Sequence, residues 1–265
     1  MKLAKNAFRY LDKKFLKSYF VELRGYQLLK KQRFDFDSSF QRSLKINYLY
    51  KENKLADLCD QYGTDKGSNF EYNPNAAWPS HTYTDYYHDI FNKNRFEIKN
   101  IFECGIGSNN SDVKGHFKLE SEPGASLKVW REYFPNAVVY GADIDSRCLV
   151  QEDRIISMVM DQTDPESIRE YFDQVGSEEF DIMIDDGLHE FSAGHILFEN
   201  AFIHLKVGGI YIIEDVVLED LQSYQAYFAE SKNYIRFVSL QRDVSGLKSI
   251  AHNSLVVIEK RDLYS

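Results

Sequence analysis

Two short apolar runs, each closing on a pair of carboxylates, constrain this chain more than any other feature. The first is Phe180-Asp181-Ile182-Met183-Ile184-Asp185-Asp186-Gly187-Leu188-His189. A helical segment follows, and then Gly208-Gly209-Ile210-Tyr211-Ile212-Ile213-Glu214-Asp215-Val216. Apolar runs of this length, bounded by turn residues and separated by a helix, are the pattern of adjacent buried parallel strands. Open parallel sheets bind ligands outside the carboxyl ends of their strands. Asp185, Asp186, Glu214 and Asp215 are therefore expected at one rim, with His189 just beyond the first pair. So many oxygen donors suit a hard divalent cation.

The surrounding pattern supports that reading. Apolar runs at 101–107, 137–145 and 154–160 precede the two acidic ones, and runs at about 234–240 and 254–259 follow. Helical stretches fall between them, at about 125–134, 165–175 (Pro165 at its first turn) and 220–231. Strands alternating with helices predict an α/β fold with a mostly parallel seven-stranded sheet flanked by helices. Upstream, Thr82 or Thr84 is placed to cap a helix over about 85–93. Helical spacing also covers 7–32 and, after a polar break at Asp35–Ser39, about 40–62. The expected division is a helical segment over 1–55 and a main domain over 56–265.

Charge is uneven along the chain. The net of −9 combines 14 Lys+Arg against 7 Asp+Glu in residues 1–60 with 18 against 34 in the remainder. An acidic body argues against nucleic acid as a partner, because a phosphate backbone needs a basic footprint. The basic helix over 7–32 suits an anionic membrane surface, its own domain or a second subunit. The acidic body favours docking within the chain or on a second copy, hence a homo-oligomer. Aromatic residues make up 15 % of the chain, and core filling accounts for most of them. Cys59, Cys104 and Cys148 have no metal-ligand spacing and are expected as free thiols of a reducing cytoplasm. No apolar run is long enough for a membrane span, and the start lacks a signal peptide's apolar core, so a cytoplasmic protein is expected.

The first strand ends at Glu103-Cys104-Gly105-Ile106-Gly107, where glycines let a ligand approach the backbone. Asp143 ends the second strand, where an acid accepts hydrogen bonds from both hydroxyls of a ribose. Asp161 and Gln162 end the third and suit an adenine edge. Three such strand ends describe a nucleoside pocket. Ser108-Asn109-Asn110 replaces the third glycine of a dinucleotide fingerprint, which favours S-adenosylmethionine over NAD. A nucleotide-dependent oxidoreductase and a non-catalytic binding protein on the same fold are the alternatives.

From Tyr62 to about Val216 the chain resembles the metal-dependent class I methyltransferases that modify sugar hydroxyls of macrolide antibiotics, a pattern shared by cephalosporin-hydroxylase-like proteins. The resemblance is carried by Gly63-Thr64-Asp65-Lys66-Gly67, His81-x-Tyr83 and Glu103-x-Gly105-x-Gly107. Gly124-Ala125-Ser126-Leu127-x-x-Trp130, Tyr140-Gly141-x-Asp143-Ile144 and Asp161-Gln162-x-Asp164 continue it, and the two acidic runs complete it. It implies a Rossmann-like domain that binds S-adenosylmethionine through Thr64, Lys66, Glu103, Gly105, Gly107, Asp143, Asp161, Gln162 and Asp185. It implies Mg²⁺ held by Asp186, Glu214 and Asp215, with His189 as general base toward a small sugar-containing acceptor. Leu188 stands where relatives carry a small polar residue, and the loop over 108–123 is longer and more acidic than theirs. Both border the acceptor pocket, so the acceptor's identity stays open. His81 either lines the site or caps the following helix, while His88, His195 and His204 are expected to pack.

Overall fold

Register decides where the acids go. A computed structural model describes residues 43–49, 53–67, 80–113, 122–176, 179–243 and 253–262. Strand β2 (Asn100–Cys104) lies between β3 (Val138–Asp143) and β6 (Phe180–Asp185), parallel to both. The next strand outward is β7 (Leu205–Ile213), parallel to β6 with Asp185 opposite Ile213. Asp186 and Glu214 are therefore neighbours one step beyond the ladder, as the two apolar runs predict.

The remaining strands are β1 (Ser43–Leu49), β4 (Gln151–Glu152), β5 (Ile155–Val159), β8 (Tyr234–Asp243) and β9 (Ser254–Glu259). The sheet order is β1-β8-β9-β7-β6-β2-β3-β5-β4. Among the described residues only β9 and the two-residue β4 run antiparallel to their neighbours. Seven strands match the expected set, and β1 and β4 extend it at the two edges. β1 corrects the helical reading over about 40–62. Leu44, Ile46 and Tyr48 alternate with Lys45 and Asn47, a two-residue period that fits a strand, and β1 pairs parallel with β8. The helix begins only at α1 (Lys54–Tyr62), where the Asn53 side chain accepts the Ala56 N–H as an N-cap. The helix expected over 7–32 lies outside the described residues.

Helices α2 (Tyr83–Phe91) and α3 (Ala125–Tyr133) join α1 on one side of the sheet. Helices α4 (Pro165–Val175), α5 (Phe191–Ala201) and α6 (Leu218–Tyr227) form the other. Alternation along β2 separates the two layers. Phe102 packs on Tyr171 and Phe172 of α4, while its neighbour Glu103 accepts from Trp130 of α3. The aromatic excess fills this core, with Tyr83, Tyr87, Trp130, Tyr133, Phe134, Tyr171 and Phe180 all buried. Each such side chain contributes roughly 1.5–3 kcal/mol by leaving water. Thr82 occupies the N-cap position of α2 but makes no side-chain cap, because its hydroxyl accepts from the Asn253 amide instead. Among the described residues no helix is long and apolar enough to cross a membrane.

Candidate active site

The ends of β2, β3, β5, β6 and β7 open on one cavity of about 210 Å³. Gly105, Gly107, Asp143, Asp161 and Gln162 line one part, and Asp186, Leu188, His189 and Asp215 line another. A smaller hollow beside it is lined by Thr64, Gly105, Gly107, Ser126 and Asp186. Two glycines shape the cleft by close approach. At Gly105 φ is +84°, and an added Cβ would lie 2.1 Å from the Asp186 carbonyl oxygen. At Gly187 it would lie 1.8 Å from Gln162 Oε1. The turn after β2 and the turn after β6 thus touch with no room for a side chain.

On the β3 side, both Asp143 oxygens accept backbone N–H groups, from Ile106 at 3.0 Å and Asp145 at 2.9 Å. A carboxylate oxygen has two lone-pair sites, so capacity for ribose hydroxyls is left. Asp145 is gripped by Ser108 (2.6 Å), Asn110 (2.7 Å) and Arg147 (2.7 Å). The Arg147 guanidinium, helped by Ser108 and Asn110, holds its carboxyl well below the ordinary range. Gln162 donates to Asp185 at 3.1 Å and accepts the Leu188 N–H at 2.6 Å, which fixes the turn under the cleft.

The β6–β7 side is different in kind. Asp185 and Asp186 alternate to opposite faces. Asp185 is buried in a separate hollow with Tyr224, away from the main cavity, and burial raises its carboxyl. Asp186, Glu214 and Glu103 converge on the Lys66 ammonium, at 2.7, 2.6 and 3.0 Å. Lys66 is 1 % exposed. Burial alone would lower its pKa, but Asp186, Glu103 and Glu214 outweigh burial and raise it. Burial raises the carboxyls of Asp186 and Glu214 above their ordinary values, against the pull of Lys66. Glu103 is wholly buried, accepts Ser126 (2.7 Å) and Trp130 (3.1 Å), and does not line the cavity.

Asp215 sits between two imidazoles. His81 Nε2 is 3.3 Å from its Oδ1 and His189 Nε2 is 3.7 Å from its Oδ2. Tyr83 donates its hydroxyl to Asp215, and the Asp215 N–H donates back at 3.1 Å. Burial opposes ionisation of Asp215, but His81, His189 and Tyr83 win and lower its pKa. His189 and Asp215 both hold positive φ, 54° and 53°, in the left-handed region that non-glycine residues rarely adopt. Strain of this sort costs about 1–3 kcal/mol per residue and persists only where the surroundings enforce it. Asp186, His189 and Asp215 offer ligand atoms within 4.8 Å of one another. That mixed oxygen and nitrogen set fits a divalent cation. Glu214 lies deeper, 1 % exposed, with its second oxygen taken by Tyr87 at 2.6 Å.

Tyr83 and Tyr87 are roles the sequence reading did not assign. Their four-residue spacing puts both on one face of α2, one turn apart, and their hydroxyls reach Asp215 and Glu214 in turn. His81 is buried behind Asp215, outside the cavity lining, and does not cap α2. It stacks on Tyr83 at 4.7 Å, and its buried Nδ1 has no partner among the described residues. His88 pairs with the Tyr133 hydroxyl, His204 stacks on Phe172 and His195 packs on Tyr227, as expected of packing residues. The three cysteines are free and buried, and burial pushes each thiol up.

No family model matches the chain. Curated relatives do. The chain is 33 % identical over 196 residues to the 8-demethyl-8-alpha-L-rhamnosyl tetracenomycin-C 2′-O-methyltransferase of Streptomyces olivaceus, covering 73 % of this chain and 45 % of that one. It is 35 % identical over 140 residues to the demethylmacrocin O-methyltransferase of Streptomyces fradiae, covering 52 % and 33 %. The chain thus spans a third to just under half the length of these relatives. Among solved structures, the MycE methyltransferase of mycinamycin biosynthesis, in complex with Mg and SAH, aligns over 80 % of this chain and 55 % of that one. Its TM-score is 0.55 at 24 % identity. The fold is that of a Rossmann-like class I methyltransferase, and the chain is similar in sequence to these O-methyltransferases.

Proposed function

We propose that this chain transfers a methyl group from S-adenosylmethionine to a hydroxyl of a sugar-containing acceptor, with Mg²⁺ as cofactor. One observation carries the reading. A single cavity joins the nucleoside-type strand ends at Gly105, Gly107, Asp143, Asp161 and Gln162 to the acids and imidazole at Asp186, Asp215 and His189. The relatives are named as O-methyltransferases, one of a rhamnosyl tetracenomycin-C and one of demethylmacrocin, and the MycE structure holds Mg and SAH.

In this reading Asp143 receives the ribose hydroxyls, and Gly105 and Gly107 let the donor lie against the backbone. Asp161 and Gln162 border the adenine, and Thr64 borders the smaller hollow beside Asp186. Asp186, Glu214 and Asp215 would hold the cation, which when bound would orient an acceptor diol and lower the pKa of one hydroxyl. His189 takes that hydroxyl's proton at Nε2. Asp215, 3.7 Å from the ring, stabilises the imidazolium that results. Asp215 is itself held by Tyr83 and His81, so its orientation toward His189 is set before any ligand arrives. Leu188 borders the acceptor side of the cavity.

The acceptor is a macrolide glycoside, a nucleotide-activated sugar or a glycan-linked sugar. Residues 43–265 carry the catalytic domain of a cytoplasmic homo-oligomer, its start moved from 56 because β1 belongs to the sheet, and the segment before them provides packing or subunit contact. The test is S-adenosylhomocysteine release against a panel of those three acceptor classes. A positive acceptor whose turnover stops in chelator and returns with Mg²⁺ is expected. Full turnover in excess chelator would sink the metal-dependent reading, and tight binding of NAD without S-adenosylmethionine would sink the methyltransferase reading.

A further inference from the structure

Lys66 belongs to the motif that suggests a donor contact, yet its ammonium lies among acids. It touches one oxygen of each of three carboxylates, Asp186, Glu214 and Glu103. The second oxygen of Glu214 is bound by Tyr87, and that of Glu103 by Ser126 and Trp130. Lys66 is nine-tenths buried and more, so no water shell replaces these contacts. Its backbone is fixed too. The Tyr83 N–H donates to the Lys66 carbonyl at 3.0 Å, and at the next residue, Gly67, an added Cβ would lie 2.0 Å from Thr84 Oγ1. The segment that carries Lys66 is therefore laced to the helix that carries Tyr83 and Tyr87.

Three carboxylates around one point, Glu103 and Glu214 buried and Asp186 at the cavity wall, repel one another unless a cation sits between them. Lys66 is that cation on this side of the rim, and two of its three partners belong to the carboxylates proposed for Mg²⁺. Resting on the Mg²⁺ reading above, we propose that Lys66 is a built-in counter-cation. It keeps the acid rim assembled before a divalent ion arrives, and it competes with that ion for Asp186 and Glu214. Lys66 is thus a positioning residue with two opposed effects. It stabilises the metal-free protein, and it weakens the metal's hold, because two positive charges share ligands in a poorly screened interior.

A residue with only a packing role produces neither effect in this combination. The test uses the full chain with Lys66→Met and the double variant Lys66→Met/Glu103→Gln, which removes an acid together with the ammonium. Thermal unfolding is followed in chelator and in millimolar Mg²⁺, and Mg²⁺ binding by titration calorimetry. In chelator, Lys66→Met is expected to melt about 10 °C below the wild type, as loss of one partner of a buried ionic set implies. Mg²⁺ should recover most of that loss, since it binds only the folded state. The double variant should recover about half of it in chelator alone, as one of three repelling charges is gone. Both variants should bind Mg²⁺ at least about tenfold more tightly than the wild type. Should Lys66→Met not fold in chelator, the double variant carries the same comparison.

Equal melting of Lys66→Met and wild type in chelator overturns the counter-cation role, as does a loss that neither Mg²⁺ nor Glu103→Gln relieves. Weaker Mg²⁺ binding by the variants reduces Lys66 to a scaffold and overturns the competition. In both cases Mg²⁺ binding by the wild type leaves the metal reading standing. No Mg²⁺ binding by any of the three proteins overturns the metal reading, while rescue by Glu103→Gln in chelator still upholds the counter-cation role.

Discussion

Two clusters of carboxylates sit on the same rim of the same sheet and are built by opposite means. At the end of β3, Asp143 and Asp145 are met by backbone amides, short hydroxyl and amide side chains, and a half-exposed guanidinium. Asp145 is held ionised far down the pH scale. At the ends of β6 and β7, Glu214 in the interior and Asp186 at the cavity wall meet one buried ammonium, and burial pushes both carboxyls up. The first cluster is satisfied by its own turn and by the loop after β2, 35–37 residues away. The second depends on a lysine and two tyrosines brought from more than a hundred residues away. A cluster of the first kind is suited to receive hydroxyls of a neutral ligand, and one of the second kind to hold a cation and do chemistry beside it.

The sharpest way to break that division is to compare variants across it. His189→Ala is expected to lower kcat by about 10²–10⁴-fold, the usual worth of a general base. Its affinity for S-adenosylmethionine, measured by calorimetry, should stay within about twofold of the wild type, since Asp143 and the glycine turn are untouched. Asp143→Asn should do the converse. Loss of a charge-assisted hydrogen-bond acceptor is worth about 1.5–3 kcal/mol, or roughly ten- to a hundredfold in the dissociation constant of the donor. Its kcat at saturating donor should change little. If both variants move the same parameter, the rim is not divided as described.

Gly105→Ala tests the contact that joins the two clusters. Its positive φ and the 2.1 Å approach to the Asp186 carbonyl predict a loss of about 2–5 kcal/mol in urea unfolding. A variant as stable as the wild type would mean the two turns move apart freely. The smallest effect is expected at Asp145. Because its folded pKa is depressed, its contribution is fully present above the ordinary carboxylate range and is lost only as pH falls through the depressed value. Asp145→Asn should therefore melt about 1–3 °C below the wild type, with the same gap at every pH between about 5 and 8. Below about pH 4 the gap should narrow, as the unfolded chain's carboxyl takes up its proton before the folded one, and a gap unchanged down to about pH 2 would place Asp145 among ordinary carboxyls.

Legibility in the sequence follows the range of the interactions. The order of strands and helices was readable because each apolar run is bounded by its own turn residues and matches one period. It failed at Ser43–Leu49, where Leu44, Ile46 and Leu49 also fit helical spacing and only pairing with β8, nearly two hundred residues on, selects the strand. The acids and His189 were readable because they lie at strand ends, where the fold class puts ligands. The motifs point Glu103 and Lys66 to the donor pocket, whereas packing turns them toward each other under it.

The sequence by itself determined the alternation of elements and the rim that collects Asp186, His189, Glu214 and Asp215. These depend on hydrophobic periodicity and on the rule that parallel strands end together. Only the tertiary structure decided which carboxylate faces which partner. Asp185 and Asp186 are adjacent and chemically alike. Yet one is sealed beside Tyr224 and the other shares the Lys66 ammonium, because successive side chains on a strand leave by opposite faces and the two faces carry different helices. Burial and charge depend on what the chain packs against each face, and that is a property of the fold and not of the stretch that carries the residue.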